Sequence, residues 1–296
     1  MTDHYESDQW ISVFAADELV MAREIALVLE ARALPGRLER HDHKWFVFVP
    51  LQHLDAARSE VSAWARENSR PAGGERRLRV LGRGWPGVCV WLFTLLAVSI
   101  FSTRHLFGAD WYALGSADAA AIVGGEYWRS LTALMLHADA VHLIGNLTFG
   151  SFFGYYAGRC LGEGFGWSLV LLGGVLGNLV NAWVQSPLHR SVGASTAVFA
   201  ALGLLAAYRW RHGFDAHTPW RVRLAPLYAA LALLAFTGTA GETTDLGAHL
   251  FGFLAGLGLG LTATRFAERL GRRTQWVLAS ACMAACVGAW WLALRA

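Results

Sequence analysis

Apolar stretches of about 20 residues fill the chain after Gly84, and no other feature limits its fold as severely. They lie at roughly 86–106, 141–161, 165–186, 192–210, 223–240, 246–264 and 275–294. About 20 predominantly apolar residues is the length a helix needs to cross a hydrocarbon core. In lipid each backbone N–H and C=O must be bonded internally, so each stretch is expected as a spanning helix. Charge placement agrees. Residues 1–83 hold 25 of the Asp, Glu, Lys and Arg side chains, and the 213 residues that follow hold 22. Charge density falls from roughly 30% to roughly 10%, on either side of the ~25% usual for a soluble domain. The expectation is a polytopic all-α membrane protein, residues 85–296, preceded by a small soluble unit.

The same figures remove other classes. With 55% hydrophobic residues, disorder and collagen are excluded. A net charge of +3 is too small to argue for a nucleic-acid partner. Cys89, Cys160, Cys282 and Cys286 all lie in or beside apolar segments and read as packing thiols, not a disulfide framework. Cys282 and Cys286 stand one helical turn apart, but no His or acidic residue accompanies them as a metal site would require.

Residues 1–68 read as a small α+β cytosolic domain of βαββα-like order. Strands are expected at Trp10–Ala15 and Lys44–Val49, and helices at Asp17–Ala33 and Leu54–Glu67, with Pro35–Gly36 ending the first helix. The N-terminus has no basic stretch leading into an apolar core, so no cleavable signal or transit peptide is read there. His41 and His43 flank a charged turn and read as solvated. Residues 69–84, with Pro71, Gly73, Gly74 and five arginines (70, 76, 77, 79 and 83), read as a basic juxtamembrane linker. Arginine also sets the orientation. With the N-terminus cytoplasmic, 14 arginines flank the spans on the inner side, against Arg104, Arg129, Arg190 and Arg295 outside. The positive-inside rule then places the C-terminus outside. The acidic loop Glu242–Asp245 falls outside, as does the long amphipathic loop 107–140.

Polar residues inside such spans are costly and default to functional candidates. Here they gather at one level. His142 and Asn146 open the second span and, four apart, share a helix face. Ser195 opens the fourth span, within Ser191-Val-Gly-Ala-Ser-Thr196, and His249 opens the sixth, within Gly247-Ala-His-Leu-Phe-Gly252. All three helices begin at the outer face. A serine hydroxyl becomes a nucleophile when a neighbouring base takes its proton, and histidine titrates in the right range. The Asn146 amide, the His142 ring N–H and the Ser195 backbone N–H could stabilise an oxyanion. Gly193 permits a tight entry and close substrate approach. Phe199, one turn after Ser195, is placed to support the His249 ring. Each piece has a plainer explanation. A lone intramembrane Ser bonds its own backbone, a lone His caps or sits at the interface, and Gly252, Gly256 and Gly260 make a packing groove. Taken together these explain poorly why every odd residue shares one membrane level.

These residues resemble the rhomboid family of intramembrane serine proteases. The likeness runs through Glu126-Tyr-Trp-Arg129, then His137, His142 and Asn146, then Gly193-Ala-Ser195, and Ala248-His249-x-x-Gly252-x-x-x-Gly256. It covers about 86–264, in the family's order and spacing, and the ordered set is far more specific than any one motif. The resemblance implies that Ser195 and His249 form a catalytic dyad and that His142 and Asn146 line an oxyanion site. It implies that the first outer loop is a hairpin half in the membrane, with structural roles for Glu126, Trp128, Arg129 and His137. Spans one to six resemble the family's core, so 275–294 is an added seventh helix. The soluble unit resembles the cytosolic domains of some bacterial members, which implies a bacterial inner membrane. Two residues depart from the pattern. Thr196 replaces the usual glycine after the nucleophile, where its branch is expected to crowd the cavity for the side chain before the cut. Phe199 replaces a frequent tyrosine.

The reading is therefore an endopeptidase that cuts transmembrane segments of other proteins near the outer leaflet, within the lipid bilayer, with no metal and no cofactor. Three rivals stand beside it. An inactive relative would bind transmembrane clients without cutting them. A transporter would predict mid-membrane carboxylates and pseudo-repeated halves, neither visible here. A metalloprotease using His137, His142 and His249 would usually carry an HExxH signature, which is absent.

Overall fold

The computed structural model describes residues 9–68, 80–214, 218–238 and 245–296. Arginines 70, 76, 77 and 79 of the basic linker, and residues 242–244 of the acidic loop, lie outside the described residues. The chain divides into two compact units, Met1–Gly74 and Glu75–Ala296.

In the first unit β1 (Trp10–Ala16), α1 (Leu19–Ala31), β2 (Arg37–His41), β3 (Lys44–Pro50) and α2 (Leu54–Asn68) follow one another. The strands pair antiparallel in the order β1-β3-β2. Alternation in β3 sends Val47 and Val49 to the face where Ala22, Ile25 and Leu29 of α1 and Ala57 of α2 are buried with them. Asp42 and His43 link β2 to β3 with positive φ (43° and 71°), the geometry that matches a two-residue hairpin to strand twist. Both His41 and His43 are exposed.

The second unit is almost wholly helical. Its elements are α3 (Trp85–Thr103), α4 (Trp111–Gly115), β4 (Ala117–Asp118), α5 (Ala119–Val123), α6 (Arg129–Thr132), α7 (Ala140–Leu161), α8 (Glu163–Val184), β5 (Arg190–Ser191), α9 (Ser195–His212), α10 (Trp220–Gly238), α11 (Leu246–Ala263) and α12 (Arg272–Ala293). Among the described residues four helices are long and apolar enough to cross a membrane: α3, α8, α11 with its continuation to Arg269, and α12. The helices α7, α9 and α10 coincide with the other apolar stretches but carry polar residues, among them His142, Asn146, Arg159, Arg209, Arg211, Arg221 and Arg223.

Small residues decide how closely α8, α9 and α11 approach, as is usual where helices pack without a hydrophobic drive. A Cβ on Gly252 would run into the carbonyl oxygen of Thr196, and one on Gly256 into that of Ala200. A Cβ on Gly173 would come within 2.7 Å of Ala200 Cβ, and one on Gly174 within 2.8 Å of Ala197 Cβ. Against this cluster α12 docks on α8. The Gln275 side-chain oxygen accepts the Phe165 N–H at 2.8 Å, and Cys282 Sγ lies 3.1 Å from Ser168 Oγ. At the other end of α12, Trp290 meets Trp111 with ring centroids 4.5 Å apart.

The long loop 107–140 is built from short capped helices. Asp110 accepts two N–H groups at the start of α4, and Asp118 accepts that of Ala121 in α5. The Ala121 N–H and then the Arg190 guanidinium, 2.7 Å away, outweigh burial and hold the Asp118 carboxyl below the usual carboxylate range. Pairing of β4 with β5 ties this loop to the entry of α9.

Candidate active site

Ser195 is the first residue of α9, and His249 lies in the first turn of α11. The close α9–α11 contact brings His249 Nε2 to 2.7 Å from Ser195 Oγ. His249 is 6% exposed, and its ring stacks on Phe199 with centroids 4.5 Å apart and 28° between planes. A neutral imidazole that accepts the serine proton at Nε2 carries its own proton on Nδ1. That atom is buried and has no hydrogen-bond partner among the described residues, so no carboxylate extends the pair to a triad.

Gly193 enters the helix with φ +139°, a conformation open to glycine. A Cβ there would come within 2.6 Å of His142 Cε1, 2.7 Å of His142 Nε2 and 3.5 Å of Ser195 Oγ. The space above Gly193 is thus bounded by the His142 ring on one side and the serine oxygen on the other. Asn146, 5% exposed, donates one amide hydrogen to the His142 carbonyl at 3.2 Å and retains a second donor. As the first residue of its helix, Ser195 presents a backbone N–H with no intrahelical acceptor, at the positive end of the helix dipole.

His137 stands behind this group. Its carbonyl accepts the Tyr112 hydroxyl at 2.5 Å, and its Nε2 accepts the Ala194 N–H at 3.5 Å. Its ring meets that of His142 edge-on at 5.3 Å. Burial, and then the proximity of His142, pushes His137 down to about 4, so its ring is neutral and able to accept.

Glu126 and Arg129 make their side-chain bonds within the loop, and Trp128 reaches beyond it. Arg129 Nε donates to Glu126 Oε2 at 2.6 Å, and its Nη1 donates to the carbonyls of Ala113 and Ser116 at 2.8 and 3.3 Å. Trp128 packs on the cluster that holds Leu95, Trp111, Leu136 and Trp290. None of the three bonds to Ser195 or His249 among the described residues. Gly252 and Gly256 act one step away, by admitting α9.

Thr196 is packed between helices. It is 3% exposed, and a Cβ on Gly177 or Gly252 would come within 2.7 or 3.0 Å of its methyl carbon. The branch therefore packs into the α8–α9–α11 junction.

Two aspartates cap the helices of the site; sequence reads Asp245, one turn before His249, as a loop or cap residue and does not single out Asp139. Asp139 caps α7 by accepting the N–H of His142 at 2.8 Å. Asp245 caps α11 through the N–H of Ala248 at 3.0 Å, while its Oδ2 accepts from Asn181 Nδ2 and meets His189 Nε2, both at 2.8 Å. Burial opposes ionisation of Asp245, but the Ala248 N–H, His189 and Ser191 outweigh it and hold the carboxyl below its usual range. The available signal was an Asp three residues before a helical residue at the start of an apolar run.

This assembly of polar groups at helix starts, inside an apolar bundle, defines a multi-pass membrane protein with a serine–histidine pair in its interior. Comparison with known proteins gives the family. The family model described as the Rhomboid domain matches residues 124–266. The "Putative rhomboid protease YdcA" of Bacillus subtilis (strain 168) is 31% identical over 183 residues, covering 61% of this chain and 85% of that protein. "Rhomboid-like protease 3" of Toxoplasma gondii is 35% identical over 157 residues, 49% of this chain and 55% of that protein. "Rhomboid protease GluP" of Bacillus subtilis (strain 168) is 32% identical over 120 residues, 39% of this chain and 23% of that protein. The chain belongs to the rhomboid family. It spans about half the length of the Toxoplasma relative, and 23% of the second Bacillus relative.

Proposed function

We propose that this protein is an intramembrane serine endopeptidase that cuts transmembrane segments of other membrane proteins near the outer leaflet. The observation that carries the proposal is the 2.7 Å contact between Ser195 Oγ and His249 Nε2. Relatives named as proteases support the same reading.

In this mechanism Ser195 Oγ attacks the scissile carbonyl as its proton passes to His249 Nε2. Negative charge gathers on the carbonyl oxygen in the space beside Gly193, where the Ser195 N–H, the Asn146 amide and the His142 ring donate to it. His249 then protonates the leaving amine, and water repeats the sequence on the acyl-enzyme with His249 as base. A helical substrate hides its carbonyls, so cleavage favours segments that unwind readily, such as those with Gly or Ala near the cut.

The remaining assignments complete the proposal. Six helices from α3 to α11, without the short loop helices, form the core. With α12 as a seventh span, the N-terminus and the α+β domain lie in the cytoplasm of a bacterial cell and the C-terminus faces outside. Glu126, Arg129, Trp128 and His137 shape the outer loop.

The test uses the detergent-purified chain with a fluorophosphonate probe and a transmembrane reporter. Labelling and cleavage are expected in wild type and should fall at least about 100-fold in Ser195→Ala and His249→Ala, the scale of losing a general base or nucleophile. Cleavage that survives both substitutions overturns the mechanism. A wild type that binds the reporter but neither labels nor cuts is instead an inactive client-binding relative.

A further inference from the structure

The dyad histidine is held by something other than the dyad. The first helical bond of α11 runs from the His249 N–H to the carbonyl of Asp245 at 3.1 Å, so any shift of Asp245 is passed directly to the histidine backbone. The Asp245 side chain is fixed at both oxygens. Oδ1 takes the Ala248 N–H at 3.0 Å, and Oδ2 takes Asn181 Nδ2 from α8 and His189 Nε2 from the loop after it, each at 2.8 Å. Gly247 lets this turn sit against α8, for a Cβ there would run into Asn181 Oδ1 and come within 2.9 Å of Gln185 Nε2. By contrast His249 Nδ1 bonds to nothing among the described residues. Apart from Ser195, the ring's partner among the described residues is the face of Phe199, which leaves its height along the helix unset.

We propose that Asp245, clamped to Asn181 and His189, is a positioning residue that sets the height and rotation of α11 so that His249 reaches Ser195. The inference rests on the Ser195–His249 reading above. The clamp acts in place of the carboxylate that a triad would put on the imidazole itself. It ties the backbone of the base to α8, the helix that also packs on α9. A capping bond alone would order the first turn of α11 without fixing it relative to α8. The charge-assisted bonds to Asn181 and His189 supply that registration.

Asp245→Asn separates cap from clamp. Its remaining oxygen still caps Ala248, while its new NH2 group opposes the Asn181 NH2 and carries no charge to hold His189. Expected are a kcat lowered about 10- to 100-fold, the scale of an ångström-level misplacement, and a KM within about twofold of wild type. The second-order fluorophosphonate labelling rate falls by the same factor as kcat, since the probe needs the Ser–His alignment but no transmembrane docking. Asp245→Asn/Asn181→Asp exchanges donor and acceptor and should restore labelling to within about threefold of wild type. Labelling of folded Asp245→Asn at the wild-type rate, a loss carried by KM alone, or a double variant no better than the single one each overturns the clamp. In all these cases wild type still labels at Ser195. Wild type that fails to label overturns the dyad reading first, and the clamp with it.

Discussion

Gly256→Ala tests whether packing, not chemistry alone, makes the Ser195–His249 contact. Gly256 lies seven residues beyond His249 on α11, and a Cβ there would stand 2.7 Å from both Cα and C of Ala200 and closer still to its oxygen. Ordinary contact begins at 3.4 Å, so α11 must retreat from α9 by about 0.7 Å or more. Backbone atoms cannot step aside as a flexible side chain can. Carried to the dyad, that retreat takes the 2.7 Å contact to about 3.4 Å, beyond the range of a productive hydrogen bond. Overpacking of this kind costs about 1–3 kcal/mol of stability, and an ångström-scale misplacement costs up to about 100-fold in rate. The matched control is Gly258→Ala on the same helix, where a Cβ meets nothing within 4 Å. There the gain in helix propensity, up to ~1 kcal/mol, is the main effect. Fluorophosphonate labelling rates and thermal midpoints in detergent are the measurements. Gly256→Ala should lose labelling at least about tenfold while still folded, and Gly258→Ala should keep it. A folded Gly256→Ala that labels at the wild-type rate would refute the claim that glycine spacing sets the dyad.

Three further outcomes follow from single contacts. Gly193→Ala forces an L side chain into φ +139° and onto the His142 ring, so cleavage and labelling should fall about 100-fold or more, read in the same two assays. His137, neutral when folded with a value of about 4 against 6.5 when unfolded, favours the native state fully above pH 6.5. That stabilisation is lost as pH falls toward 4, by about 3 kcal/mol in all, and chemical denaturation across pH 7 to 4 should show a flatter slope for His137→Gln. Thr196→Gly leaves a void where the methyl group sits and weakens the helix start, so stability should fall by about 1–2 kcal/mol while labelling per folded molecule is kept.

What the sequence disclosed depended on whether the controlling physics was local. A lipid-spanning helix must satisfy its own backbone, so apolar length alone located α3, α8, α11 and α12. Serine and histidine at helix starts in such stretches have few structural uses, and their common level was readable before any distance was known. Partners far apart in sequence were not readable. Asp245 meets Asn181 and His189 across 64 and 56 residues, and the β4–β5 pair joins Asp118 to Arg190 across 72. Neither leaves a periodic trace. The short helices of 107–140 were missed for a related reason, since each is five residues or fewer and is held by bonds to distant carbonyls, such as Thr132 Oγ1 to Gly115 at 2.8 Å. Strand β2, Arg-Leu-Glu-Arg-His, has one apolar residue and therefore no alternation to read.

Thr196 shows how volume is shared out in such a bundle. Glycine in place of Thr196 would leave the α8–α9–α11 junction with a gap on the α9 side. Here the methyl of Thr196 fills it, close to Gly177 and Gly252 on the facing helices. Phe199 follows the same logic: the ring that stacks on His249 is retained, and a hydroxyl that would have to find a partner in an apolar wall is absent. Neither change touches Ser195 Oγ or His249 Nε2. The side chain after Ser195 therefore shares the volume between three helices with the glycines that face it. An enlargement on one helix is tolerated where the facing positions lack side chains, and it fails where, as at Gly256, the facing atoms are backbone.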